Sequence, residues 1–327
     1  MKKFLTLIFL LILLKPSFAQ QDPQFSQYMF NTLVINPAYA GYRETHNITL
    51  LHRDQWSGFE GAPKTQSFIA DGAFGNDKKV GLGLSFVNDK AGLQQQTSAH
   101  ANYAYRLRTG AESRLAFGIS LGVGQFSLDP SDSHVQDETD DNFLDKQTYF
   151  VPDARVGVHY STARFYAGLS ATNLLSNAIN YQQVGKGTIA NHGRHYFLTA
   201  GYLFDLNENF KVKPSVLLRE DTKGPTNVDL NTFVLIKEMV WVGASYRAGV
   251  NLWKKTDWNS GTFNQNSLVG VLEAFVMKNL RVGYSYDYSL SDMANYENGT
   301  HEISLGVILN SKSKVNKKSA QLTPRYF

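Results

Sequence analysis

Six charged residues stand where their segments otherwise carry small side chains. Arg281, Asp287 and Glu302 share a face with Gly and Ser in two late segments, and Lys211, Lys213 and Arg219 alternate with apolar residues in an earlier one. Charges in such places can hydrogen-bond an occupant of the space they line, or they can form a polar path or docking wall. Side chains suited to catalysis are sparser. The eight His are scattered singly at 46, 52, 100, 134, 159, 192, 195 and 301, and the nearest pair, His192 and His195, has no third ligand beside it. No nucleophile elbow, Gly-rich phosphate loop or HExxH occurs. The sequence therefore assigns no catalytic, metal or cofactor-binding residue, and the chain reads as a non-enzyme. A barrel hydrolase using a Ser and a His is the competing chemical reading, and it requires an activity that disappears on replacing one of them.

Two further clusters have plain explanations. Asp137, Glu138, Asp140 and Asp141 gather oxygen ligands of the kind Ca²⁺ prefers, but without EF-hand spacing, and a solvated loop accounts for them. Trp253, Lys254, Lys255 and Trp258 suit a lipopolysaccharide or protein contact, and equally a membrane interface.

The elements that must position these residues are strands. Leu115, Phe117, Ile119, Leu121 and Val123 alternate with Ala116, Gly118, Ser120, Gly122 and Gly124, and similar period-two runs occur over 80–86, 282–288 and 303–309. One face is apolar and the other nearly bare. A soluble sandwich would solvate its second face with charge, whereas small residues suit the inside of a barrel whose lumen is occupied. The chain has 21 Phe, 17 Tyr, 26 Gly and a mean hydropathy of −0.29, a poor match to a helical membrane protein and a good one to a closed barrel in lipid.

The periodicity predicts strands at 47–56, 65–74, 79–88, 96–108, 113–127, 152–161, 163–173, 194–206, 209–220, 226–236, 239–248, 266–276, 279–289 and 300–309. Tight links at 75–78, 109–112, 162, 207–208, 237–238 and 277–278 alternate with links that tend to be long, the habit of outer-membrane barrels with short periplasmic turns. The expected fold is all-β: a transmembrane antiparallel β-barrel of 14 strands over 47–309. Such a ring is too wide for its own side chains to fill, so it needs a plug or leaves a pore.

Residues 1–19 run from Lys2 and Lys3 through an apolar stretch to Ser17, Phe18 and Ala19, the order of a cleavable signal peptide. Losing Lys2, Lys3 and Lys15 brings the formal charge from +4 to about +1. Residues 310–327 form a basic tail with Lys312, Lys314, Lys317, Lys318 and Arg325 and no acid. Nothing interleaves charge with aromatics across a folded face, which excludes a nucleic-acid reading. Zero cysteines exclude disulfides. With 14 strands both barrel ends fall on the short-turn side, so Gln20 and the tail are expected in the periplasm.

Residues 20–46 precede the barrel and do not alternate. Phe25, Tyr28, Met29 and Leu33 have helical spacing after Pro23, with Phe30 beside them, and Asn36-Pro37-Ala38-Tyr39-Ala40-Gly41 predicts an extended turn. So much aromatic surface should not stand free in the periplasm. The segment is expected to fold into the lumen as a plug; a linker packed on the rim is the other reading.

These residues also carry a resemblance. Gln27-Tyr28 through Asn36-Pro37-Ala38-Tyr39-Ala40-Gly41, then Arg53-Asp54-Gln55-Trp56-Ser57-Gly58-Phe59 and Ala62-Pro63-Lys64-Thr65, resemble the start of PorP/SprF family proteins of the type IX secretion system. The closing Pro324-Arg325-Tyr326-Phe327 is similar to that family's usual ending. The resemblance implies an outer-membrane barrel, in contact with outer-membrane lipid, that binds exported proteins bearing a C-terminal sorting domain and, in gliding bacteria, surface adhesins. It also implies other type IX components as partners, including periplasmic proteins or lipoproteins that Arg325, Tyr326 and Phe327 of the tail would meet. A transporter or porin for hydrophobic or small solutes is the alternative.

Overall fold

The computed structural model describes residues 23–75, 77–129, 146–175, 193–221, 226–250, 252 and 266–309. The expected signal peptide and Gln20, the acidic cluster around Asp137, His134, His192, the Trp253–Trp258 cluster and the tail with Arg325, Tyr326 and Phe327 lie outside the described residues.

The alternating runs form strands because their two faces meet two environments. β1 (His46–Asp54), β2 (Lys64–Phe74), β3 (Val80–Ala91), β4 (Gln94–Arg108), β5 (Arg114–Leu128), β6 (Gln147–Ser161), β7 (Phe165–Thr172) and β8 (His195–Tyr202) pair in sequence order. They are followed by β9 (Phe204–Asp205), β10 (Phe210–Asp221), β11 (Thr226–Ile236), β12 (Val240–Val250), β13 (Ser267–Met277), β14 (Leu280–Ser289) and β15 (Thr300–Leu309). Neighbours are antiparallel, and β15 pairs β1 from His46↔Leu309 to Asp54↔His301. The ring of 14 strands is therefore closed, which leaves no row of backbone groups without a partner in hydrocarbon.

The fifteenth strand, β9, is not an extra wall element. Gly201 pairs Ser215 and Phe204 pairs Val212, so β8 and β9 meet β10 in a single register with a lapse at residues 202–203. Pro214, opposite that lapse, has no N–H to donate, while its ladder to β11 runs on unbroken.

Outward residues are apolar: Leu121 is 62% exposed, whereas the next residue inward, Ser120, is 1% exposed. No helix among the described residues is long and apolar enough to cross a membrane. Links at one end are short, at 75–79, 109–113, 162–164, 206–209, 237–239 and 278–279. At the other end 55–63, 129–146, 173–194, 251–266 and 290–299 are long, and 92–93 and 222–225 are the exceptions.

Candidate functional site

The residues that share the inside of this ring are buried as thoroughly as any core. Phe25, Tyr28, Met29, Phe30, Leu33, Ile35, Tyr39 and Tyr42 are all buried, together with Gln27, Asn31, Asn36 and Arg43. They do not form the single helix suggested by the spacing of Phe25, Tyr28, Met29 and Leu33. Three one-turn 3-10 segments occur instead, at Tyr28–Phe30, Thr32–Val34 and Pro37–Tyr39. Helical spacing gives one apolar face, but here wall surrounds the chain, and its backbone groups find partners on many strands rather than on themselves.

Those partners go round the ring. Arg155 on β6 donates to Val34 O at 2.7 Å, Ser170 on β7 to Ile35 O at 2.6 Å, and Asn231 on β11 to the Tyr28 hydroxyl at 2.8 Å. Asn36 accepts from Ala38 N at 2.9 Å, capping the turn that begins with Pro37, and donates to Val158 O at 3.2 Å. Glycines of the wall make room for the approach: a Cβ on Gly118 would overlap Ala38 and Pro37, and one on Gly157 would overlap the Asn36 side chain. Gly41 takes φ +70°, gives its N–H to Asp71 at 2.9 Å, and lies against the backbone of Gly72 and Gly81.

At the long-link end the segment is held by charge. Glu302, fully buried, accepts from Ser26 N at 3.0 Å and Gln27 N at 2.7 Å. Arg53 bridges Glu302 and Asp287, each at 3.0 Å, and also donates to Ser26 Oγ at 2.9 Å. Gln27 donates to Glu302 O at 3.0 Å and accepts from Ser304 at 2.7 Å. Arg247, paired with Asp229 at 2.9 Å, donates to Phe25 O at 3.5 Å. This knot holds two cations, Arg53 and Arg247, against three carboxylates, Asp229, Asp287 and Glu302. On the 290–299 link above it, burial raises the Glu297 carboxyl above its ordinary range, the Asp287 charge adds to that, and Arg53 opposes it.

The sequence-predicted residues thus divide. Phe25, Tyr28, Met29, Phe30, Asn36, Pro37, Tyr39 and Gly41 line up inside the ring, and Arg53, Asp287 and Glu302 converge on residues 26–27. Arg281 lies 5.1 Å from the Phe30 ring centroid and 3.5 Å from Glu273. Lys213 lies 4.9 Å from the Tyr166 centroid, beside a small cavity also lined by Tyr28, Tyr39, Tyr42 and His159. Arg219 is buried on the same inner face of β10. Lys211 instead pairs Asp205 at 3.0 Å near the short-turn end. Trp56 and Pro63 are away from the lumen, on the 55–63 link: Trp56 N–H donates to Thr300 Oγ1 at 3.0 Å and Pro63 O accepts from Gln55 at 2.9 Å.

Arg247, Asp229, Arg155, Asp71, Glu273 and Arg43 also face the lumen segment or its charged partners, and none of them stands out in the sequence. The first five lie on the inward faces of their strands, but those faces also carry apolar residues, Val269 and Val271 beside Glu273, Ile69 beside Asp71 and Phe233 beside Asp229, so the contrast with small neighbours that marks Arg281 and Glu302 is weaker there. No group of three or more His, Asp or Glu able to hold a metal occurs among the described residues.

A family model described as "Type IX secretion system membrane protein PorP/SprF" matches residues 17–307. No curated protein matches. Among solved structures, the CymD monoaromatic hydrocarbon channel is similar at 11% identity and a TM-score of 0.51, over 88% of this chain and 94% of its own. The Acinetobacter baumannii outer membrane protein Omp33 is similar at 10% identity and a TM-score of 0.46, over 82% of this chain and 98% of its own. At such identities the likeness speaks to the barrel fold alone.

Proposed function

This chain belongs to the PorP/SprF family of type IX secretion system membrane proteins, and we propose that it is a plugged, non-enzymatic barrel that binds exported proteins bearing a C-terminal sorting domain. It is an outer-membrane barrel, so the short turns face the periplasm and the long links face outward. The observation that supports the proposal is the lumen segment: from Phe25 to Arg43 it lies buried inside the ring with direct bonds to several strands, as a plug would. A barrel closed in this way serves binding better than passive passage of solutes. Cargo is then bound at the outer membrane, for secretion or for attachment at the surface, and the basic tail over 310–327 reaches a periplasmic or lipoprotein partner.

Deleting residues 22–41 and recording conductance in planar bilayers tests the plug. Single openings should appear that the full chain lacks, and a barrel equally conducting before and after deletion ends the plug reading. Affinity capture from solubilised outer membranes with mass spectrometry tests the binding. One large surface protein with its C-terminal domain attached is the expected catch. Uptake defects in a deletion strain with secretion intact would instead favour a solute transporter. Loss of residues 311–327 with assembly and secretion both normal would count against the tail contact.

A further inference from the structure

The lumen segment runs against the direction of the strand that follows it. His46 opens β1 at the short-turn end and Asp54 closes it at the long-link end, beside Thr300 to Glu302. Residues 26–27 meet Arg53, Asp287 and Glu302 at that far, external end, and Gly41 meets Asp71, Gly72 and Gly81 at the periplasmic end. The chain therefore descends the full ring before turning into β1.

Its two ends are held by different chemistry. Near the periplasm the grip is mainly steric: Ala40 O lies against Gly81 and Ala38 against Gly118, with a single N–H to carboxylate bond, from Gly41 to Asp71 at 2.9 Å, beside the positive-φ turn. At the external end the grip is a set of directional, charge-assisted bonds to the side chains of Arg53 and Glu302. Bonds of this kind are lost together when geometry slips, and a group at the external mouth can compete for them; a packed backbone track offers no such handle.

We infer that the knot of Arg53, Asp287, Glu302, Ser26 and Gln27 is a latch, so that the external half of the lumen segment is released by breaking it while residues 36–42 stay seated against their glycines. This rests on the reading of the segment as a plug, and it adds where and how the plug lets go. It assigns the release point to the external face of the membrane, the side on which a surface protein would stand.

The full chain contains no cysteine, so single thiols report cleanly. Met29→Cys and Ala40→Cys place a probe in each half, at side chains that are buried. Both are compared with a membrane-impermeant maleimide, in the parent and in two latch variants: Ser26→Ala/Gln27→Ala, which acts from the segment, and Glu302→Gln, which acts from the wall and brings the knot to charge balance. The heat-modifiable folded band on gels verifies the barrel in each case. Labelling at position 29 should rise about tenfold or more when the side-chain bonds of residues 26 and 27 are removed or the Glu302 charge that strengthens the two N–H bonds is lost, with position 40 unchanged. Unchanged labelling at both positions in folded variants overturns the latch, and a parallel rise at both shows a segment that moves as one piece, which overturns it equally. Conductance of the 22–41 deletion separates the two ideas: a deleted barrel that stays closed removes the plug itself, whereas one that opens while the latch variants label like the parent removes only this inference.

Discussion

Arg53 shows how much one side chain can be asked to hold. It reaches two carboxylates and the Ser26 hydroxyl from a buried position, so truncating it strands Asp287 and Glu302 without their common partner. Breaking a buried pair from one side costs about 3–5 kcal/mol. Arg53→Leu should therefore lower stability by that order in urea unfolding from lipid vesicles, and Arg53→Leu/Glu302→Gln should recover part of the loss, since one unpaired charge goes with it. A glycine makes the complementary case. A Cβ on Gly118 meets the backbone of Ala38 and Pro37, atoms that cannot rotate away. Gly118→Val should destabilise the full chain by about 1–3 kcal/mol, the usual scale of overpacking. In the 22–41 deletion the same substitution should be close to neutral, and an equal effect in both backgrounds would deny that the segment is what the glycine accommodates. At this scale the sequence revealed which side chains face inward, through parity, but not which of them meet. Arg53 and Glu302 are 249 residues apart, and only the closure of β15 on β1 makes them neighbours. Trp56 and Pro63 sit in the same family-like stretch as Arg53, yet they serve the link: Trp56 takes φ +52°, ends β1 two residues earlier than its composition suggested, and turns its N–H to Thr300.

Elements were easier to read than contacts, and the discrepancies have local causes. The runs over 65–74 and 266–276 alternate less cleanly than their neighbours, yet both are strands, because each is flanked by partners that need a ladder. β6 begins at Gln147, five residues before the alternating stretch does, and β3 and β4 continue to an Ala91↔Gln94 pair. Beyond the bilayer a strand no longer needs an apolar outer face, so pairing persists where the pattern fades. The N-terminal segment went the other way, since helical spacing cannot distinguish a chain with one buried face from a chain buried on all sides. Among the turns, Lys237 and Glu238 both take positive φ, at 49° and 58°, at the centre of the Ile236–Met239 turn in the 237–239 link between β11 and β12. That geometry belongs to Asn-Gly, and each non-Gly residue held there costs on the order of 1 kcal/mol. Lys237→Asn/Glu238→Gly should therefore raise the midpoint of chemical unfolding without changing conductance. A lowered midpoint would show that these two side chains contribute contacts that outweigh the strain.

For the whole molecule, the decisive boundary is the one between lipid and water on the outer wall. β4, β5 and β6 each run 15 residues, more than the ~9–11 a tilted strand needs to cross, so their surplus must stand clear of the hydrocarbon. Leu121 lies within the apolar outer row of β5, between Ile119 and Val123, whereas Thr148 is an exposed outer-face residue of β6 opposite Ser127, at the long-link end. The two positions share a sheet and an orientation and differ in height. Leu121→Arg should weaken folding into lipid vesicles by about 2–4 kcal/mol, the depth-dependent cost of a lipid-facing charge near the bilayer midplane, and Thr148→Arg by about 0–1. The same pair unfolded from detergent micelles, which deform around a charge more readily than a bilayer does, should show a smaller gap. Equal costs in vesicles would place both residues in one environment and contradict a band that ends below the external hairpins. On β1 and β15, Arg53 and Glu302 lie one residue from the long-link end of their ladder, at Asp54↔His301, so the latch sits at the end of the wall towards which the long β4–β6 ladders extend their surplus.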